Sequence, residues 1–237
     1  MLRCRTATPT PAAWQHRVTA QARAASPPWP LRPLATGAAS PASPRSYFYD
    51  VDIHGQLFLS DAKHRNVATA YRDVRFLDVF FARIRRNQPL ATSAGEEARR
   101  ARSRGYEFVS ECMGEVNYVR PDSEGTPLVF QSLDGSELRY AGSLSHPFDP
   151  AALRVNAATG YLFHPSPVSG RSNRAHAGPY SLLRSSLVLE HFGPSLELDT
   201  GTEGGGSFEY RGRRFPIKPL QEGDVWPRQQ CDVDPIT

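Results

Sequence analysis

Residues 47–84 read YFYDVDIHGQLFLSDAKHRNVATAYRDVRFLDVFFARI. Tyr47, Tyr49, Val51 and Ile53 alternate with Phe48, Asp50 and Asp52, the period of two that marks a half-buried strand. His54-Gly55 supplies a turn, because glycine accepts the positive φ of a tight hairpin. Gln56 to Leu59 form the return strand, which Ser60-Asp61 closes with turn chemistry. Residues 61–71 read as a turn or short helix. Asp73 is placed to cap a longer helix over residues 73–86, where Val74, Leu77, Phe80 or Phe81 and Ile84 recur at three to four residues. Burying the side chains of Phe76, Leu77, Phe80, Phe81 and Ile84 against the hairpin contributes roughly 1.5–3 kcal/mol each. This strand–turn–strand–helix unit is the expected nucleus of the fold.

Downstream, short strands are expected around Tyr106–Ser110, Glu115–Val119, Leu128–Phe130 and Leu138–Tyr140, with Asp134-Gly135 as a hairpin turn. A Pro-punctuated crossing follows at His146–Pro150. Gly160–His164 reads as a strand, and Pro179–Phe192 as the most hydrophobic late strand. Phe208–Tyr210 and Phe215–Ile217 form a last hairpin. Strands separated by turns every 8–12 residues or so imply antiparallel sheet. The expected fold is α+β: mainly antiparallel sheets in two packed parts, with one main helix near residues 73–86. Residues 46–220 form the globular domain, with halves 46–140 and 141–220 as one division, and 221–237 a flexible tail.

Several of these segments resemble a eukaryotic family known as uncharacterised protein family 0598. The resemblance rests on Tyr47-Phe48-Tyr49, Val51-Asp52, Gly55-Gln56-Leu57-Phe58-Leu59 and the Phe-rich helix. Further on it rests on Phe148-Asp149-Pro150-Ala151 with Leu153, on Leu162 to Pro167, and on Leu183-Arg184-Ser185-Ser186-Leu187. It implies a mitochondrial protein, and it brings no established activity and no catalytic residues. The family pattern has the aspartate at 52 without an acid at 50 or a histidine at 54.

The net charge of +4 is unevenly placed. Residues 1–49 hold six arginines and no Asp, Glu or Lys, so residues 50–237 carry a net charge of −2. The near-neutral body argues against nucleic acid, which calls for a basic face on the domain itself. Residues 1–45, rich in Ala, Pro, Arg, Ser and Thr and free of acids, have the composition of an organelle transit peptide. They lack the apolar core, about 7–15 residues long, of a secretory signal. The plainer alternative is a Pro-rich tail with no address. Together with the resemblance, the leader leads us to expect a mitochondrial protein, in the matrix; a plastid would require a photosynthetic source. No apolar run approaches the roughly 18 residues of a membrane-spanning helix. Cys4, Cys112 and Cys231 have no metal-site or disulfide-framework spacing.

No signature of a common catalytic or cofactor site is present. There is no GxSxG elbow, P-loop, GxGxxG after a strand or HExxH, so no cofactor and no metal is expected. Asp50, Asp52 and His54 share one strand face and could meet a divalent cation, although a solvent-facing polar side explains them more simply. His164 sits at a strand end, where an imidazole could act as a base. Arg184 lies within the apolar 179–192 segment, so its charge needs an anion: Glu190, Asp52 or a bound ligand. Arg99, Arg100, Arg102 and Arg104 also suit anions, but Glu96 and Glu97 supply counter-charge and the segment 87–105 reads as solvated surface. Glu111 and Glu115 flank Cys112 and hold its thiol up, against a nucleophilic role. Two functions follow. One is a non-catalytic module binding a small anion or a protein partner, with Arg184, His164, Asp52 and Glu190 as candidate ligand residues. The other is an enzyme with a scattered site at His164, Arg184 and Asp52.

Overall fold

The computed structural model describes residues 44–89, 95–122, 124–168, 177–199 and 204–225. All but the last two residues of the expected leader, most of the tail, Cys4 and Cys231 lie outside the described residues. Among the described residues, no helix is long and apolar enough to cross a membrane.

The first sheet is built by β1 (Ser46–Val51), β2 (Leu57–Leu59), β3 (Ile84–Arg86), β4 (Phe108–Cys112) and β5 (Glu115–Pro121), in the order β2-β1-β5-β4-β3. β1 pairs antiparallel with β2 and parallel with β5. At the hairpin Gly55 takes φ +75°, and its carbonyl accepts from Gln131 Nε2 at 3.0 Å, which ties the turn to the second sheet. Helix α1 (Val74–Ala82) begins where expected: the Asp73 side chain accepts from the Phe76 N–H at 2.7 Å. It ends four residues earlier than the 73–86 reading. The chain re-enters the sheet at Ile84, whose buried side chain continues the apolar face as part of a strand. Helix α2 (Glu96–Ser103) lies in the segment read as solvated surface; only Ala101 is buried, and Glu96 pairs with both Arg99 and Arg100.

The second sheet comprises β6 (Val129–Asp134), β7 (Glu137–Tyr140), β8 (Leu144–Pro147), β9 (Arg154–Val155), β10 (Leu162–Pro165), β11 (Tyr180–Leu183), β12 (Glu197–Asp199), β13 (Gly205–Tyr210) and β14 (Arg213–Pro219). Their order is β12-β13-β14-β9-β10-β11-β6-β7-β8. Parallel pairing at β11/β6 and β14/β9 makes this sheet mixed, like the first. One apolar cluster runs through both sheets, from Tyr49, Leu57 and Phe80 to Phe130, Leu183, Phe192 and Phe208. The α+β class with two sheets follows the expectation; the change of sheet falls between Pro121 and Val129, ahead of the 140/141 division.

The reading of 179–192 as one strand is overturned. The strand stops at Leu183, and Ser185–His191 form helix α3. Leu183, Leu187, Val188 and Phe192 are buried while Ser185, Ser186, Leu189 and Glu190 are exposed, a spacing that suits a helix as well as an apolar strand. His146-Pro147, read as part of a crossing, belongs to edge strand β8.

An arginine-lined cleft on the outer face of the first sheet

The register of the first sheet sets the site. Asp50 stands opposite Phe58 on β2 and opposite Arg120 on β5, so the three form one rung on a single face. The other face, with Tyr49, Val51, Leu57, Phe108 and Val119, belongs to the main core. On the Asp50 face, Phe48, Tyr106, Val109 and Tyr118 pack with Ala101 of α2. Asn87 anchors this corner, donating from Nδ2 to the carbonyls of Ala98 at 2.9 Å and Tyr106 at 3.1 Å. Gly105, with φ +86°, turns the chain after α2 and leaves Arg104 at the corner's rim.

Beyond that corner opens a cleft of about 960 Å³, bordered by the 60–72 loop. Asp50, read as the solvent-facing side of a strand, is only 5% exposed. Its carboxylate accepts from Arg120 Nε at 2.7 Å and Nη2 at 3.2 Å, and also from Arg65 on the loop. A buried carboxylate requires such partners, and two guanidinium groups on one carboxylate leave a net positive charge. The loop holds its shape through Asn66 and Thr69: Asn66 Oδ1 accepts from the Ala68 and Thr69 N–H groups. The Arg104 guanidinium lies 4.8 Å from the Phe48 ring centre and 5.4 Å from that of Tyr106, and Arg120 lies 4.9 Å from Tyr106. Among the described residues Arg104 forms no ion pair, and it borders the cleft.

The four candidates from the sequence are not brought together. No hydrogen bond, ion pair or ring contact among the described residues joins any two of Asp52, His164, Arg184 and Glu190. Asp52 borders the cleft, but its Oδ1 accepts from the His54 and Gln56 N–H groups at 2.9 and 2.7 Å, which shapes the hairpin turn. Asp50 thus spends its oxygens on guanidinium groups and Asp52 its Oδ1 on backbone N–H groups, an arrangement that does not favour the cation weighed for Asp50, Asp52 and His54.

His164 is 1% exposed. Its Nε2 accepts from the Asp149 N–H at 2.9 Å, which leaves Nδ1 to donate to the Pro165 carbonyl at 3.0 Å. Burial pushes it down to about 4, and His146, 5.5 Å away between ring centres, adds to the shift. A ring with both nitrogens engaged by backbone is poorly placed to serve as a base.

Arg184 occupies the junction of β11 and α3. Its N–H donates to the Phe130 carbonyl at 2.9 Å, and its buried Nε has no partner among the described residues. The expected pairing with Glu190 or Asp52 is absent. Six residues along a strand return to the same face, but six along a helix lie well round the axis, and Glu190 is exposed on α3. Burial holds the Cys112 thiol up, with Glu115 adding to it; the flanking carboxylates are the lesser cause.

Sheet, helix and cleft define a two-sheet α+β domain with a recess lined by arginines and aspartates on one sheet. A family model described as a domain of unknown function (DUF4505) matches residues 36–220, and the chain belongs to that family. No solved structure matches the chain.

Proposed function

We propose that this protein is a non-catalytic module that binds a small anion in the Arg65–Arg104–Arg120 cleft. The observation that carries the reading is Arg104: a guanidinium oriented by two aromatic rings, bordering a ligand-sized cleft, with no carboxylate of its own among the described residues. Oriented guanidinium groups favour two-oxygen anions, because little rotamer freedom remains to be lost on binding. Asp50 organises the site, fixing Arg65 and Arg120 on either side of one carboxylate. The enzyme alternative built on His164, Arg184 and Asp52 gains no support from residues that make no mutual contact.

The test is native mass spectrometry of the purified full chain. A small anion that copurifies and is lost in Arg104→Ala supports the reading. An anion retained in that variant places the site elsewhere, and Arg184 is then the next residue to replace. We further propose that the chain is mitochondrial, as a member of uncharacterised protein family 0598, and that residues 1–45 direct import. The support is the acid-free, arginine-bearing composition of that leader. A fluorescent protein carrying residues 1–45 should enter mitochondria; diffuse fluorescence would refute the address.

A further inference from the structure

The cleft's size and charge say more about its ligand, on the premise that the cleft binds an anion at Arg104. At about 960 Å³ it is far larger than an inorganic ion and lies at the upper end of the range for small organic ligands. Its charged lining is balanced: Arg65, Arg104 and Arg120 stand against Asp50, Asp52 and Asp122. A polyphosphate would draw on several arginines at once and bring its extra charge among the carboxylates of the same lining, whereas a single negative charge needs only Arg104.

An apolar surface completes the recess. Phe58 borders the cleft from the floor, in the same rung as Asp50. Val67 borders it from the loop and is 60% exposed, in a stretch whose turn is fixed by Asn66 and Thr69. An apolar side chain displayed from an ordered loop beside a cationic rim provides for the body of a ligand as well as its head.

We infer that the cleft takes a singly charged organic carboxylate, with its carboxylate on Arg104 and an apolar body between Phe58 and Val67. The carboxylate would accept two N–H bonds from the Arg104 fork while the body covers the exposed valine.

Isothermal titration of the full chain with 2-naphthoate, 2-naphthyl phosphate and acetate tests this. Burying the ring system should make 2-naphthoate at least about tenfold tighter than acetate. Val67→Ser should weaken 2-naphthoate and leave acetate unchanged, and Arg104→Ala should weaken both. Arg104 and Val67 are exposed, and circular dichroism verifies that both variants keep the fold. If 2-naphthoate binds no tighter than acetate while acetate still depends on Arg104, the organic ligand is refuted and anion binding stands. The same holds if Val67→Ser has no effect on 2-naphthoate. Tighter binding of the doubly charged 2-naphthyl phosphate than of 2-naphthoate would refute the single charge. Binding of neither carboxylate, or binding indifferent to Arg104→Ala, would overturn both readings.

Discussion

Acid should weaken this fold through His164, and the size of the effect follows from its surroundings. The ring accepts the Asp149 N–H at Nε2, so a proton there would turn an acceptor into a donor facing a donor. Buried against Phe130, Phe148 and His146, the folded-state ring protonates only near about 4. In the unfolded chain the value is about 6.5. Because the folded value is the lower one, the unfolded state takes up the proton first as pH falls. The stability owed to the neutral ring is complete above about pH 6.5 and is lost progressively as pH falls to about 4. Between about pH 7 and about pH 5 the loss from this one residue is about 2 kcal/mol. Burial holds His146 down as well, so it acts in the same direction. Urea denaturation of wild type and His164→Gln at the two pH values isolates the contribution. The variant will be less stable at neutral pH, where the backbone contacts of the ring are lost. Its further loss on acidification should be smaller than that of wild type by about 2 kcal/mol. Equal acid losses in the two proteins would refute the buried neutral ring.

Two other perturbations probe the joints of the fold. Gly55→Ala should destabilise by at least about 1–2 kcal/mol, because φ is +75° and the added Cβ would lie 2.9 Å from Gln131 Nε2 and 3.0 Å from Val129 Cβ; a neutral result by thermal denaturation would contradict the docking of the hairpin on β6. Asp78 joins α1 to the β7–β8 turn by accepting the N–H groups of Gly142 and Ser143 and the Ser143 hydroxyl. Burial pushes its carboxyl up, but these donors outweigh that and hold it below the usual carboxylate range. Asp78→Asn should therefore cost about 1–2 kcal/mol at neutral pH. The difference should shrink in strong acid, once the wild-type carboxyl protonates, and urea denaturation across pH will measure it.

Where residues could declare themselves locally, the sequence was sufficient. The alternation of Tyr47–Ile53, the glycine at 55 and the Asp73 cap are short-range signals, and β1, β2 and the start of α1 follow them. The end of α1 was hidden because Ile84 satisfies the helical repeat and the strand alternation alike. The 179–192 segment failed for a related reason: with Leu182, Leu183, Leu187 and Val188, both periods fit and only tertiary packing decides. Asp52, a candidate ligand residue, borders the cleft, but its carboxylate shapes the turn. The cleft itself could not be read, because Asp50, Arg65, Arg104 and Arg120 come from four separate segments. Asp50 and Arg120 meet because β1 and β5 are parallel neighbours, while Arg65 and Arg104 come from a loop and from the end of α2, and contacts between distant segments leave no local mark. One clue was available: an aspartate inside an aromatic strand, at a position where burial would demand an arginine.

Arg104 is the centre of the proposed site, and the direct measurement is an NMR titration of the full chain with acetate, followed at the Arg104 Nε–H resonance. That resonance, assigned by its loss in Arg104→Lys, should shift downfield and saturate, with a smaller response at Arg120 and little at Arg184. Saturable shifts at Arg184 with none at Arg104 would contradict the cleft and move the anion to the β11–α3 junction.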